Sequence, residues 1–446
     1  LRDESALIEI DVSLEPGPVA RRSGNVRPRP PWWLWIGGLT VIAPVSIAIL
    51  ALFVRAVAAG GTALDTLLTT RTLLLTGRSF LLTTLVTVAA VLIGVTGAWI
   101  LTRTDLRFRS AWAVAFSIPL VIPSYVIAMT FISLGGPRGL VFDVLGITVP
   151  HVAGLAGAWF ALTLATYPYV FLITSAALVR TDPALEEAAR GLGSPPLRVF
   201  RTIVLPQLRP AIGASALLVA LYTLSDFGAV SLMRLDVFTR TIYAQYSVRI
   251  DRTPAITLSI VLMLIAAVVI WVERRTRGRG TLFTVRPTRP PAVLRLTTPK
   301  RVAAAVFLLL AILLGAGIPI MVLLGWAWQG TSAGDGFSVS WAAVRGSLTG
   351  ATLAALIAMI AAIPIVVLGV RYASRRTEWL ERSTLFVFSL PHLTVAIAVV
   401  AFTVKFARPI YQSLLALVVV YAALFLAQVV GPARASLLAV SPAIEE

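Results

Sequence analysis

The stretch DPALEEAARGLGSPPLRVFRTIVLPQLRP, residues 182–210, gathers side chains suited to recognition by another surface. Asp182 fits a helix N-cap and Pro183 the first helical position, while Glu186 and Glu187 favour the positive end of the helix dipole. Ala188 and Ala189 are small enough to let a second surface come close. Gly191 and Gly193 predict the end of the helix, and Pro195–Pro196 a turn. In the segment that follows, Val199, Ile203 and Leu208 lie among basic residues, and Pro206 is expected to break the helix. The chemistry is docking rather than catalysis: a short helix–turn–helix with an acidic start and a small-residue face. An ordinary solvated loop would tolerate the same residues, but this one recurs. LVRTDPALEE at 178–187 is matched by LLAVSPAIEE at 437–446, so Glu445 and Glu446 repeat the acidic pair.

A second kind of chemistry is an ionisable group inside an apolar stretch, which costs about 2.5–3.5 kcal/mol at mid-helix and is a functional candidate. Asp226, in SDFG, lies 16 residues beyond Pro210. That is roughly 24 Å along a helix, so Asp226 falls towards the far face, where it would line a vestibule that receives a cation. The plainer alternative is that it caps a helix break or pairs with a neighbouring span. Ser225 beside it and Tyr125 in IPSYV are further pathway candidates, although an interior Tyr is ordinarily packed with its hydroxyl satisfied. His392 reads as a hydrogen-bonding core residue rather than a metal ligand. Pro119, Pro123, Pro168 and Pro391 are expected to kink helices around a cavity.

Catalytic chemistry finds no frame. A phosphate-binding loop needs Lys after Gly, and the only lysines are Lys300, after Pro299, and Lys405, after Val404. GLG at 191–193 and GRG at 278–280 are too short for a dinucleotide loop. There is no HExxH, no Ser–His–Asp set and no cysteine, and the two histidines are too scattered for a metal site. The sequence therefore predicts no catalytic residue, no metal site and no cofactor bound by this chain.

The elements that must position these groups are membrane helices. Apolar residues make up 58% and charged residues 13%, about half the charged share of a soluble domain. Stretches near the ~20 residues that cross a bilayer recur at 33–57, 79–102, 110–133, 151–179, 210–232, 255–272, 302–328, 347–370, 383–404 and 410–433. Alternating strands of a β-barrel do not appear. The predicted fold is an all-α, polytopic integral membrane bundle. Residues 1–32 form a cytoplasmic tail, 33–272 a first half, 273–301 a basic cytoplasmic linker and 302–446 a second half. With the tail inside, cytoplasmic segments hold 27 of the 38 Lys and Arg, so the net charge of +18 reflects membrane orientation and not a nucleic-acid partner. Two further repeats support the halves: SFLLTTL (79–85) with GSLTGATL (346–353), and FSIPL (116–120) with FSLPH (388–392). The first half has six spans. The second has four before the sequence ends, and its completion would need two more.

Glu187-Ala188-Ala189, Arg190-Gly191 and then Ile203-Val204-Leu205-Pro206 closely resemble the EAA loop of permease subunits of binding-protein-dependent ABC importers. TLSDFGAVSLMRLDVFTRTIYAQY (223–246) resembles the ferric-iron branch of fused permeases. The resemblance implies two fused six-span halves and a coupling helix in the EAA loop that fits a groove on an ATP-binding subunit. It further implies two ATP-binding cassette subunits carrying ATP and Mg, an extracytoplasmic substrate-binding protein, and a place in the bilayer of a bacterial cytoplasmic (inner) membrane. Ferric iron is the implied cargo, with thiamine, phosphonate, polyamine or sulfate as alternatives in the same class. A gradient-driven secondary transporter can also carry repeats, but it has no ATPase for such a loop to engage.

Overall fold

The computed structural model describes residues 30–58, 60–67, 69–136, 139–179, 181, 183–248, 252–276, 293–332, 340–388 and 390–439. Among these the chain is helical, without strands; a single bridge pairs Thr104 with Leu294. The first helices are α1 (Trp32–Ala58), α2 (Gly61–Leu67) and α3 (Thr70–Arg103). α1 starts on a tryptophan cluster suited to the membrane interface. The Thr69 hydroxyl accepts the Thr72 N–H and caps α3. Next come α4 (Arg109–Ser117), α5 (Ser124–Leu134), α6 (Leu140–Leu145), α7 (Gly154–Val179), α8 (Pro183–Gly191) and α9 (Pro196–Val199). A π-helical turn, Phe200–Val204, runs straight into α10 (Leu205–Ser225), followed by α11 (Gly228–Leu232), α12 (Phe238–Val248) and α13 (Thr253–Thr276). The remainder is α14 (Thr298–Ile312), α15 (Ile318–Ser332), α16 (Trp341–Arg371), α17 (Arg375–Phe388), α18 (His392–Phe406) and α19 (Leu414–Ala439).

Among the described residues eight helices are long and apolar enough to cross a membrane, and ten spans result if each of two bent pairs counts as one. Those pairs are α4–α5, bent by 90°, and α17–α18, bent by 102°. The ten coincide with the ten apolar stretches, with two corrections. The fifth starts at Phe200 rather than near 210, because Pro206 does not break the helix. It closely follows the π turn Phe200–Val204, and the helix continues through it. The expectation of four proline kinks is also too uniform. Pro119 lies in a 3-10 turn between α4 and α5, and Pro123 and Pro391 directly precede α5 and α18. Pro168 sits inside the unbroken α7.

Small residues let the helices close on one another, which matters in lipid, where apolar burial drives association little. α3 and α7 touch at Gly94, where an added Cβ would lie 2.6 Å from Val170 Cβ and 2.8 Å from Phe171 N. The matching pair in the second part is α16 with α19. The repeated motifs fall at corresponding places: 79–85 and 346–353 in α3 and α16, 116–120 and 388–392 at the two bends. The cores are interleaved. Val41, Ile42 and Val45 of α1 pack with Ala358, Ala362 and Ile365 of α16. In return, Leu308 and Ala311 of α14 join the core containing Phe116 and Tyr167. The first helix of each part is thus lodged in the other.

Candidate coupling and pathway sites

α8 ends as its glycines require. Gly193 has φ +81°, a left-handed conformation that only glycine adopts without strain. Its N–H donates to Arg190 O at 2.9 Å, and the Ser194 N–H donates to Ala189 O at 3.1 Å. These are the paired bonds of a Schellman end. The glycine stop sharpens the turn and leaves the tip bare: Leu192 is 87% exposed.

The two adjacent glutamates face different surroundings, since successive residues on a helix are about 100° apart. Glu187 and Ala188 are exposed, Ala189 is half-buried, and Gly191, the last residue of α8, is exposed. Glu186 is buried at 1% exposure. Its Oε1 lies 2.8 Å from Nη2 of Arg103, a fully buried guanidinium at the end of α3. The same Nη2 donates to Leu178 O at 3.2 Å and Thr181 Oγ1 at 2.5 Å, at the end of α7. Arg190 stands 3.6 Å from the other Glu186 oxygen. Burial pushes the Glu186 carboxyl above its usual range, against the opposing pull of Arg103 and Arg190. α8 is therefore tied to the ends of two spans through one ion pair, with Glu187, Ala188 and Leu192 left outward.

The sequence pattern treats both glutamates alike and singles out no role for Arg103. The available signal was its place: an Arg ending a span on the side that carries the acidic loop. Pro183 opens α8. Asp182, Glu445 and Glu446 lie outside the described residues. Leu205 and Pro206 are half-buried at the start of α10.

Asp226 lies at the break between α10 and α11. One carboxylate oxygen accepts the Ser124 hydroxyl at 2.5 Å, and the other accepts the N–H of Ala229 at 3.0 Å and of Val230 at 3.4 Å. Its carbonyl accepts the Thr239 hydroxyl at 2.7 Å. Asp226 thus caps α11 and fastens it to the start of α5, directly after the 90° bend. Ser225 ends α10 and is half-buried, while Tyr125 is 49% exposed on α5. Gly228 admits this contact, because an added Cβ would meet Tyr125 Cβ at 2.8 Å. His392 begins α18 and stacks on Phe425, with ring centroids 6.2 Å apart; it is exposed and so is not the core residue expected. Among the described residues no group of three or more His, Asp or Glu is arranged to hold a metal ion.

A multi-pass bundle with interleaved repeats, helix breaks inside its spans and a short helix tied to the ends of two of them has the build of a membrane transport subunit. Residues 90–277 match the family described as binding-protein-dependent transport system inner membrane component. The Fe(3+)-transport system permease protein FbpB 2 of Haemophilus influenzae is 33% identical over 424 residues, covering 94% of this chain and 81% of the relative. The sulfate transport system permease protein CysT of Salmonella typhimurium is 31% identical over 158 residues, 34% of this chain and 57% of the relative. The putrescine transport system permease protein PotI of Escherichia coli is 34% identical over 142 residues, 31% of this chain and 48% of the relative. The chain belongs to the family of binding-protein-dependent transport permeases of the ABC importer type. It is a multi-pass transport subunit rather than an enzyme, in a family that works with substrate-binding and ATPase partners.

Proposed function

We propose that this chain forms the membrane pathway of an ATP-driven importer of ferric iron in a bacterial inner membrane, with its N-terminus in the cytoplasm. Likeness to the Haemophilus ferric-iron permease over 94% of the chain carries this reading. The sulfate and putrescine relatives match only about a third of it. A binding protein delivers iron at the outer face. Two separate ATP-binding subunits, holding ATP and Mg, dock on the cytoplasmic side.

The exposed Glu187, Ala188 and Leu192 form the docking surface of the first loop. Glu445 and Glu446 take the corresponding places by sequence repeat. ATP-driven closure of the subunits moves α8, and the Arg103–Glu186 pair passes that movement to the ends of α3 and α7. On the opposite side Asp226, Ser225 and Tyr125 border the pathway. Asp226 serves it by holding the bent α5 in place, since its carboxylate already accepts three hydrogen bonds.

The test is uptake by proteoliposomes containing the full permease, its ATP-binding subunits and its binding protein. Ferric iron should accumulate with ATP inside, and excess sulfate or putrescine should not compete. ATP-dependent uptake of either competitor, without uptake of iron, would overturn the cargo assignment. Glu187→Arg should reduce retention of the ATP-binding subunit and uptake together. Unchanged values for both would remove α8 from the docking surface.

A further inference from the structure

Arg103 is bonded in two directions. Its guanidinium holds the docking helix, while its backbone carbonyl accepts the Leu294 N–H at 2.8 Å. The Asp105 N–H in turn donates to Leu294 O at 3.1 Å, so that Thr104 and Leu294 form a parallel bridge. Asp105 completes the joint with its side chain. Oδ1 accepts the Leu296 N–H at 2.9 Å, and Oδ2 stands 2.8 Å from Arg301 Nη2. The Leu296 N–H, helped by Arg301, holds the Asp105 carboxyl below its ordinary value. Leu294 and Leu296 end the linker between the two parts, and Arg301 lies in the first turns of α14.

α14 does not lead away from this joint into lipid. Leu308 is fully buried in the first part's core, and Phe307 lies 6.4 Å from Phe116 between ring centroids. In the π turn that follows, Gly315 sits so near the α4–α5 bend that an added Cβ would lie 2.7 Å from Pro119 Cγ. A continuous bonded route therefore runs from α8 through Arg103, Asp105 and the linker into α14, and along α14 to the bend.

We infer that Asp105 is a positioning residue for transport: it clamps the linker to the loop that anchors the docking helix, so that displacement of α8 is delivered to α14 and the α4–α5 bend. The linker is then part of the transmission and not only a covalent tether. The inference rests on α8 being the docking helix. Asp105 itself touches neither that helix's outward face nor the pathway residues.

The test uses the complete transporter in proteoliposomes and reads iron imported per ATP hydrolysed. Asp105→Ala is expected to lower this ratio by about threefold or more, within the range for a residue on a coupling route, with the ATP-binding subunits retained. In the same background, Thr104→Cys with Leu294→Cys re-ties the joint. Bridged backbones lie about 4.8 Å apart, within reach of a disulfide, and the chain has no other cysteine. Oxidation should restore the ratio to within about twofold of the parent, and reduction of the same preparation should lower it again. That reversal separates transmission from a folding defect. An unchanged ratio in Asp105→Ala, or no difference between oxidised and reduced forms, would overturn the inference. A fall on oxidation would also overturn it, by showing that the joint must open. Glu187→Arg reads the docking assignment separately: if it leaves subunit retention intact, the route loses its starting point, whatever Asp105 does.

Discussion

Replacing Glu186 by Ala removes the one buried side chain among the described side chains of α8 and leaves Arg103 enclosed without its counter-charge. Breaking a buried ion pair from one side costs about 3–5 kcal/mol. Two features favour the lower end. Arg103 ends its span and so lies at the membrane edge, and it keeps its bonds to Leu178 and Thr181. A loss near 3 kcal/mol is about a hundredfold in the equilibrium for local opening. Little else described on α8 resists that opening, because Glu187, Ala188 and Gly191 are exposed. The cost should therefore appear locally and not as global unfolding. Amide exchange of the transporter in nanodiscs reads it. Protection across 183–194 should fall by about two orders of magnitude, with the centres of α3 and α7 unaffected. The reversed pair, Arg103→Glu with Glu186→Arg, should recover part of the loss, as directly coupled sites do. If Glu186→Ala changed protection by less than about threefold, the ion pair would not be what holds α8.

The same carboxyl predicts a pH dependence. Its folded pKa is raised, so between the ordinary carboxylate range and that raised value the docked state binds more protons than the undocked one. Docking of α8 should weaken as pH rises through this window, and Glu186→Gln should remove the step from exchange measured against pH. For Asp226, replacement by Asn keeps the cap geometry and should leave iron uptake within about twofold. Asp226→Ala loses the cap and the Ser124 bond, about 1 kcal/mol each, and should lower the melting temperature in detergent as well as uptake. A larger uptake defect in Asn than in Ala would assign Asp226 a direct part in receiving cations. Gly94→Ala should destabilise by about 1–3 kcal/mol by overpacking the α3–α7 contact, visible as a lower melting temperature.

Much of this molecule is legible along the chain because lipid restricts what an apolar run can do. A stretch of about 20 such residues must satisfy its backbone internally, and a helix does so. Punctuation is local too, which is why Gly193 can be recognised as a helix end from DPALEEAARGLG alone. The direction a side chain faces is different. Glu186 and Glu187 have the same chemistry and neighbouring positions, and their fates part only because Arg103 stands beside one of them. That partner is 83 residues away in sequence. Proline carries a similar ambiguity. Pro168 is absorbed within α7, Pro206 starts α10, and Pro119 with Pro123 accompanies a right-angle bend.

The bend itself shows what decides between those outcomes. A chain that stops its helix inside the membrane must find other partners for the backbone groups it frees. At the α4–α5 bend, the Ile122 N–H donates to Pro119 O, and the Val126 and Ile127 N–H groups donate to Pro123 O. Support from outside comes from Asp226, which holds Ser124, and from α14, which lays Gly315 against Pro119. Ser124 is separated from Asp226 by 102 residues, and Gly315 belongs to the other part of the chain. A proline therefore marks where a helix can break, and distant segments decide whether it does. In this permease those segments are the break between α10 and α11 on one side and the helix that follows the linker on the other.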